Sequence, residues 1–217
     1  QTLTPRRVIL WLSRDQFPEL ERELPESLLR LVGDSFEIKW VDGDLGPHKK
    51  YFYAVQQYPD SALITVDDDA IYDNHLVEFL YEAHLEQPKT VICERANLVL
   101  FRPDGQIREY DSWVYDCQYL RGTLTYQLLP TGVGGVLYPP HCLPPETFDE
   151  ASIRATCLWA DDLWLKVMAT ANGYPVWMPR RSARFTLVQP AQDVGLWYAN
   201  TIEGQNDVAW SRILAHI

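Results

Sequence analysis

The sequence predicts an α/β domain with a mostly parallel sheet flanked by helices. Three observations carry that prediction. Short apolar runs alternate with helical stretches through the first third of the chain, and this strand–helix–strand rhythm argues for parallel strands joined by crossover helices. Hydrophobic residues make up 47% of the 217 positions, enough to fill the core of one domain and to argue against disorder. The run Ala62-Leu63-Ile64-Thr65-Val66 reads as a buried strand and ends on three aspartates, Asp67, Asp68 and Asp69. In open α/β sheets that end of a strand is where ligands sit.

Taken in order, Arg7 to Ser13 reads as the first strand. Pro18 to Val32 contains a short helix with Leu24, Leu28, Leu29 and Leu31 on its apolar side, ended by Gly33-Asp34. Phe36 to Val41 is a second strand of alternating character. After a turn over Gly43 to Pro47, Lys49 to Tyr58 suits a helix with Phe52 and Val55 inward, and Pro59-Asp60 closes it ahead of the central strand. Leu76, Phe79, Leu80 and Ala83 recur at helical spacing and predict an amphipathic helix from His75 to Gln87. Thr90 to Phe101 and Trp113 to Tyr119 read as strands around the turn Pro103-Asp104-Gly105. Leu163, Trp164, Val167, Met168 and Ala171 mark another helix, stopped by Asn172-Gly173 and followed by a short strand, Tyr174 to Met178. Beyond Arg180 the pattern weakens until a closing helix near Val208 to Ala215. No repeat or low-complexity linker divides the chain, so residues 1–217 read as a single domain.

Three adjacent carboxylates repel one another and are unfavourable to bury unpaired. Their delivery together to a strand end suggests a bound cation, and oxygen-only ligands suit Mg²⁺ or Mn²⁺, ions that commonly hold phosphates. The competing reading is a solvated turn or a helix cap, since Asp73 and Asn74 follow and a helix starts near His75. If the strand continues, Asp67 and Asp69 project to one side and Asp68 to the other.

Composition narrows the function classes. The formal charge is -11 and no basic run exceeds Arg180-Arg181, which disfavours nucleic acid as a partner. The histidines are scattered without HxH or HxxxH spacing, which argues against a zinc hydrolase. Cys93, Cys117, Cys142 and Cys157 form no CxxC and read as reduced core thiols, with one or two disulfides the lesser alternative. No signal peptide and no apolar run near the length of a membrane span is present. The expected location is cytoplasmic, with association at the inner face of the membrane left open.

Three motifs then fall in a telling order. Asp44-Leu45-Gly46-Pro47-His48-Lys49-Lys50 and its helix precede the aspartate triplet. Leu129-Pro130-Thr131-Gly132-Val133-Gly134-Gly135-Val136-Leu137-Tyr138-Pro139 and then Ala160-Asp161-Asp162-Leu163-Trp164 follow it. Together they resemble the GT-A glycosyltransferases, in particular bacterial ones that build capsule or lipopolysaccharide sugars, over residues 1–180. The resemblance implies a GT-A-like sheet and a divalent metal, Mn²⁺ or Mg²⁺, at the DxD carboxylates. It implies that this metal grips the diphosphate of a nucleotide-sugar donor, and that the acceptor is a glycan or glycolipid. Gln1 to Arg7 resembles the end of that fold's opening helix, so the expectation is a GT-A-like sheet lacking its first, base-binding strand.

The resemblance also assigns roles. Asp69 is the metal ligand, Asp67 the ribose or outer-shell metal contact, and Asp68 could take either part. Lys49 or Lys50 contacts a donor phosphate or a carboxylate of the site, with Lys49 favoured, against a solvated helix face. Gly134 and Gly135, with Gly132, offer N–H groups to substrate oxygens or simply make a tight bend; no GK[ST] follows, so this is not a P-loop. Asp162, and next Asp161, is the general base of an inverting transfer, while one of the two caps the helix. A retaining transfer would need no such base. Trp113, Tyr115, Trp159 and Trp164 line a sugar subsite or fill the core. Arg180, Arg181 and Arg184 reach the diphosphate or lie at the surface. His216 is the sole late candidate for a third metal ligand, which stays unassigned. The expected function is glycosyl transfer from a nucleotide-sugar. The alternatives are metal-dependent nucleotidyl or phosphoryl transfer, and a non-catalytic domain kept for glycan binding or assembly.

Overall fold

The computed structural model describes residues 1–188 and 204–216. Strands β1 (Val8–Ser13) and β2 (Phe36–Val41) pair in parallel, from Val8 against Phe36 to Ser13 against Val41, and form a sheet of their own. Between them the expected helix is only a 3-10 turn at Leu20–Glu23 and a single turn, α1 (Glu26–Leu29). Neither buries a residue, so no packing supports a longer helix there. Helix α2 (Lys49–Gln57) packs over β1 and over β3 (Leu63–Thr65). There follow β4 (Ala70–Tyr72), α3 (Leu76–Glu86), β5 (Val91–Cys93) and β6 (Ala96–Leu98). Next come β7 (Leu124–Thr125), β8 (Leu128–Pro130), β9 (Val136–Tyr138), α4 (Glu150–Thr156) and α5 (Asp161–Ala171). The described chain closes with β10 (Val176–Trp177), β11 (Phe185–Leu187) and α6 (Gln205–His216).

The main sheet has the order β3-β9-β5-β10-β7. Strand β9 is antiparallel to both β3 and β5, and β5 is parallel to β10, so the helix-linked strands β3, β5 and β10 share one direction. Strand β7 closes the sheet antiparallel to β10. Side-chain alternation divides the interior. Val91 and Cys93 of β5, with Val136 and Tyr138 of β9, join a core that includes Leu163, Trp164 and Val167 of α5. Ile92 and Leu137 point the other way, onto Leu76, Leu80 and Ala83 of α3. Helices therefore cover both faces, and the chain has a mixed α/β fold. Among the described residues no helix is long and apolar enough to cross a membrane. All four cysteines are buried free thiols.

Two strand expectations change. The run Thr90 to Phe101 divides after Cys93, where Glu94 turns inward. Its carboxylate accepts from Arg121, from Ser182 Oγ and from Ala183 N, the last at 3.0 Å, and ties the end of β5 to the segment ahead of β11. Trp113 to Tyr119 is not a strand: it holds one bridge, Leu98 to Val114, and a 3-10 turn, Gln118–Leu120. Helix α4 escaped the sequence reading, although Asp149 caps it by accepting from Ala151 N at 3.1 Å.

Candidate active site

Strand β3 ends at Thr65, and the chain turns at once through Asp68 and Asp69 into β4. The strand does not run through the triplet, so simple alternation does not orient its side chains. Asp68 is exposed, whereas Asp67 and Asp69 are half-buried. A small ribbon holds this turn. Strand β11 pairs antiparallel with β4, Val188 N donates to Asp69 O at 2.8 Å, and Asp67 N donates to the Tyr72 hydroxyl at 2.9 Å.

Three distant segments converge beside Asp67. From the first turn of α2, Lys50 Nζ lies 2.6 Å from Asp67 Oδ1 and 3.1 Å from Asp161 Oδ2. From the start of α5, both carboxylate oxygens of Asp162 accept from Gly132 N at 3.1 Å. A Cβ on Gly132 would stand 3.1 Å from Asp67 Oδ1, 3.2 Å from Lys50 Nζ and 3.3 Å from Asp162 Oδ1. Glycine lets the backbone come this close without shifting those three charged groups. Neither aspartate caps α5, whose N-cap is Ala160. Asp161 Oδ2 is buried and pairs with the Lys50 ammonium at 3.1 Å.

The charges sort themselves by burial and by Lys50. Burial and then the neighbouring charge of Asp161 push the Asp162 carboxyl up to about 8. Burial also acts to raise Asp161, but the Lys50 ammonium and His48 outweigh it and hold that carboxyl below its ordinary value. Burial opposes the Lys50 charge, yet Asp161, Asp67 and Asp162 carry its pKa well above the usual lysine range. At Asp67 burial wins over Lys50, and the carboxyl sits above its ordinary value. Two adjacent buried carboxyls that share one cation do not both ionise readily. Lys50 therefore favours the charged form of Asp161, while burial and the Asp161 charge favour the protonated form of Asp162. His48 supports this arrangement from behind. Its Nε2 donates to Cys157 O at 2.9 Å and its Nδ1 accepts from the Tyr51 hydroxyl at 2.8 Å, which bolts α2 to the chain ahead of α5. Burial lowers the pKa of that imidazole.

The other expected site residues lie elsewhere. Lys49 turns away, to Asp44 and to Gln16 Oε1 at 2.9 Å. The N–H groups of Gly134 and Gly135 are used within their own turn, on Thr131 O and Gly132 O. Gly135 takes φ +85 against Leu76, and a Cβ on Gly134 would lie 2.6 Å from Arg95 Cβ and 2.9 Å from Arg95 N. Gly134→Ala is therefore expected to lose about 1–3 kcal/mol in urea denaturation, because backbone cannot yield as a side-chain tip does. A loss below about 0.5 kcal/mol would show that Arg95 simply backs away. Trp113 and Trp164 are buried in the core, whereas Tyr115 and Trp159 are open to solvent. Arg180, Arg181 and Arg184 are exposed. His216 Nε2 is engaged by Ser152 Oγ of α4 at 2.6 Å. The sequence reading weighed Lys50 and Gly132 but preferred their neighbours Lys49, Gly134 and Gly135, and it is Lys50 and Gly132 that stand at the site.

Among the described residues no group of three or more His, Cys, Asp or Glu is placed to hold a metal ion. Asp67 and Asp69 are close enough for the charge of Asp69 to raise the Asp67 pKa. A hard cation that arrives on substrate phosphates needs only one or two protein carboxylates.

No protein-family model matches the chain, and no curated protein does. Among solved structures the chain is similar to HddC from Yersinia pseudotuberculosis at 13% identity and a TM-score of 0.39, over 87% of this chain and 76% of that one. It is similar to UTP-bound UGPase from Acinetobacter baumannii at 10% identity and 0.42, over 90% and 66%. It is also similar to an apo-UDP-glucose pyrophosphorylase at 7% identity and 0.41, over 97% and 81%.

Proposed function

We propose that this protein is a glycosyltransferase that moves a sugar from a nucleotide-diphosphate sugar to a hydroxyl of a glycan or glycolipid. The observation that supports the reading best is Asp162. Its carboxyl is oriented by Gly132 N–H, is partly open to solvent and is raised to about 8, beside a fixed ammonium and the strand-end aspartates. A general base works best with a pKa near the operating pH. In the transfer, the acceptor oxygen bonds to the anomeric carbon while the bond from that carbon to the diphosphate oxygen breaks. The electron pair leaves with the diphosphate, and the hydroxyl proton passes to ionised Asp162. Lys50 keeps Asp67 and Asp161 apart and adds positive charge on the donor side. Mn²⁺ or Mg²⁺ held by Asp69 and Asp67 supplies neutralisation of the diphosphate charge.

The test is product analysis. Incubation with UDP- and GDP-sugars and Mn²⁺ should release the nucleoside diphosphate. Release of pyrophosphate from UTP and a sugar phosphate would instead make the protein a nucleotidyltransferase. Glycan binding without either release would make it a non-catalytic binding domain. The metal assignment has its own readout. UDP or GDP with Mn²⁺ is expected to raise the melting temperature, by up to about 2.7 kcal/mol of linkage at a hundredfold excess over Kd. Asp69→Ala should abolish that metal-dependent part, and an unchanged melting temperature rise would remove Asp69 from the metal site.

A further inference from the structure

We infer that Glu94 and Arg121 are positioning residues for the aspartate turn: together they pin the segment 179–184 to the end of the central strand β5, and through the β4–β11 ribbon that pin fixes Asp67 and Asp69. The inference deepens the proposed donor site and rests on that reading for its effect on metal binding. The ribbon needs such a pin. It consists of two three-residue strands, Ala70–Tyr72 and Phe185–Leu187. A two-stranded ribbon of that size is marginal in water by itself. Ile71 is 66% exposed and Leu187 is exposed too, so little apolar burial holds it. Yet this ribbon carries the turn. Val188 N donates to Asp69 O at 2.8 Å, and the Tyr72 hydroxyl, its ring against Phe185, accepts from Asp67 N at 2.9 Å.

The contacts behind the ribbon run without a break. Arg121 Nη1 donates to Pro179 O and to Arg181 O, both at 2.9 Å. Its Nη2 donates to Glu94 O at 2.7 Å and to Glu94 Oε1 at 2.5 Å. Oε1 also accepts from Ser182 Oγ, and Oε2 accepts from Ala183 N at 3.0 Å. Asp73 N then donates to Arg184 O at 2.9 Å, where β11 takes up its pairing with β4. Gly122 N donates to Met178 O at 2.7 Å and ties the Arg121 turn to the start of the same segment. Glu94 is 3% exposed. A buried ion pair is a poor source of stability, because desolvation offsets its attraction and apolar residues often serve as well. What this pair supplies is geometry. The planar fork reaches two carbonyls of the segment, and a carbonyl and a carboxylate at the end of β5, all at once. An ammonium in its place is a single point of charge and cannot span them.

The experiment compares the whole chain as wild type, Glu94→Gln, Arg121→Lys, Ser182→Ala and Ile153→Ala, the last a core truncation on α4. One arm reads native-state amide hydrogen exchange by NMR at Asp67 and Val188, with the amides of α5 as a report of global opening. The other reads Mn²⁺ binding in the presence of UDP from the free-ion electron paramagnetic resonance signal. Glu94→Gln is expected to speed exchange at Asp67 and Val188 by about tenfold or more, since it loses hydrogen bonds to a charged group. Mn²⁺ binding should weaken by about tenfold in the same variant. Arg121→Lys and Ser182→Ala should shift both readings the same way by less, and they decide the matter if Glu94→Gln does not fold. Ile153→Ala should lower urea stability and speed α5 exchange while leaving both site readings at their wild-type values. Wild-type exchange at Asp67 and Val188 in all three site variants, or an equal rise in Ile153→Ala, overturns the inference and leaves the pair a structural one. Faster exchange with unchanged Mn²⁺ binding also overturns it, because the pin then does not position the metal site. A wild type that binds no Mn²⁺ with UDP removes the metal from Asp67 and Asp69, a failure of the donor-site reading, and the exchange arm alone then decides whether the pin fixes the turn.

Discussion

Asp162→Asn is expected to lower sugar transfer by about 10²–10⁴-fold, the range a positioned general base contributes. Asparagine keeps an oxygen for Gly132 N–H, so the geometry at the start of α5 should survive and only the proton acceptor is lost. UDP protection in the presence of Mn²⁺ should therefore persist. The wild-type rate should climb with pH toward about 8, because Asp162 must first ionise. The same substitution has a stability signature that does not depend on turnover. A carboxyl whose folded-state pKa is raised stabilises the fold below the ordinary carboxylate range. That contribution is lost as pH rises through about 8. The asparagine variant carries no such group. Its stability relative to wild type should grow between pH 5 and pH 8 and then level off, at roughly 2 kcal/mol or more, since each tenfold change in proton affinity on folding is worth about 1.4 kcal/mol. Urea denaturation across that range decides the matter. A constant difference between the two proteins would mean that Asp162 ionises like an ordinary surface aspartate.

Much of the framework was legible because its signals are local. The strand Phe36 to Val41 and the helix placed at His75 to Gln87 lie where period-two and period-3.6 patterns put them, the helix to within a residue at each end. The site was legible only to the level of motif. Lys49 and Lys50 are adjacent on a helix and point about 100° apart, so which one faces Asp67 depends on how α2 is rolled over β1 and β3. Only the packed helix settles that. In the same way Gly132, Gly134 and Gly135 look alike in sequence, yet the turn gives the first N–H to Asp162 and keeps the other two for itself. The ribbon of β4 and β11 joins residues more than a hundred positions apart in two three-residue strands, too short for any local signal. Trp113 to Tyr119 misled because aromatic residues favour strands in general. Here Trp113 is drawn instead onto Trp210 of α6 and onto Tyr110, and tertiary packing overrides the propensity.

Lys50→Met is expected to be the most destabilising substitution at the site. Among the described residues the lysine is the one cation paired with Asp67 and Asp161, and Asp162 lies within its field. Methionine nearly matches its length, so the packing change is small and the loss is electrostatic. Removing one partner of a buried pair leaves the other uncompensated, at a cost of about 3–5 kcal/mol. The pH dependence identifies the cause. Lys50 has a raised folded-state pKa, so its contribution is fully present at neutral pH and is lost only as pH rises through that high value. Asp161 has a lowered one, so its contribution is present at neutral pH and is lost as pH falls through it. Without Lys50 the carboxyls should take up protons at higher pH than in the wild type, which relieves the variant as the solution is acidified. The stability difference should therefore be full near pH 7.5 and shrink toward pH 4, by roughly half or more if each carboxyl regains its neutral form. Lys50→Arg should not restore the full wild-type value, because a planar guanidinium donates in a fixed fork whereas the ammonium acts as a compact charge between Asp67 and Asp161. A Lys50→Met loss that is small, or equal at both pH values, would show that the carboxylates do not depend on this cation and that the cluster is solvated rather than neutralised from within.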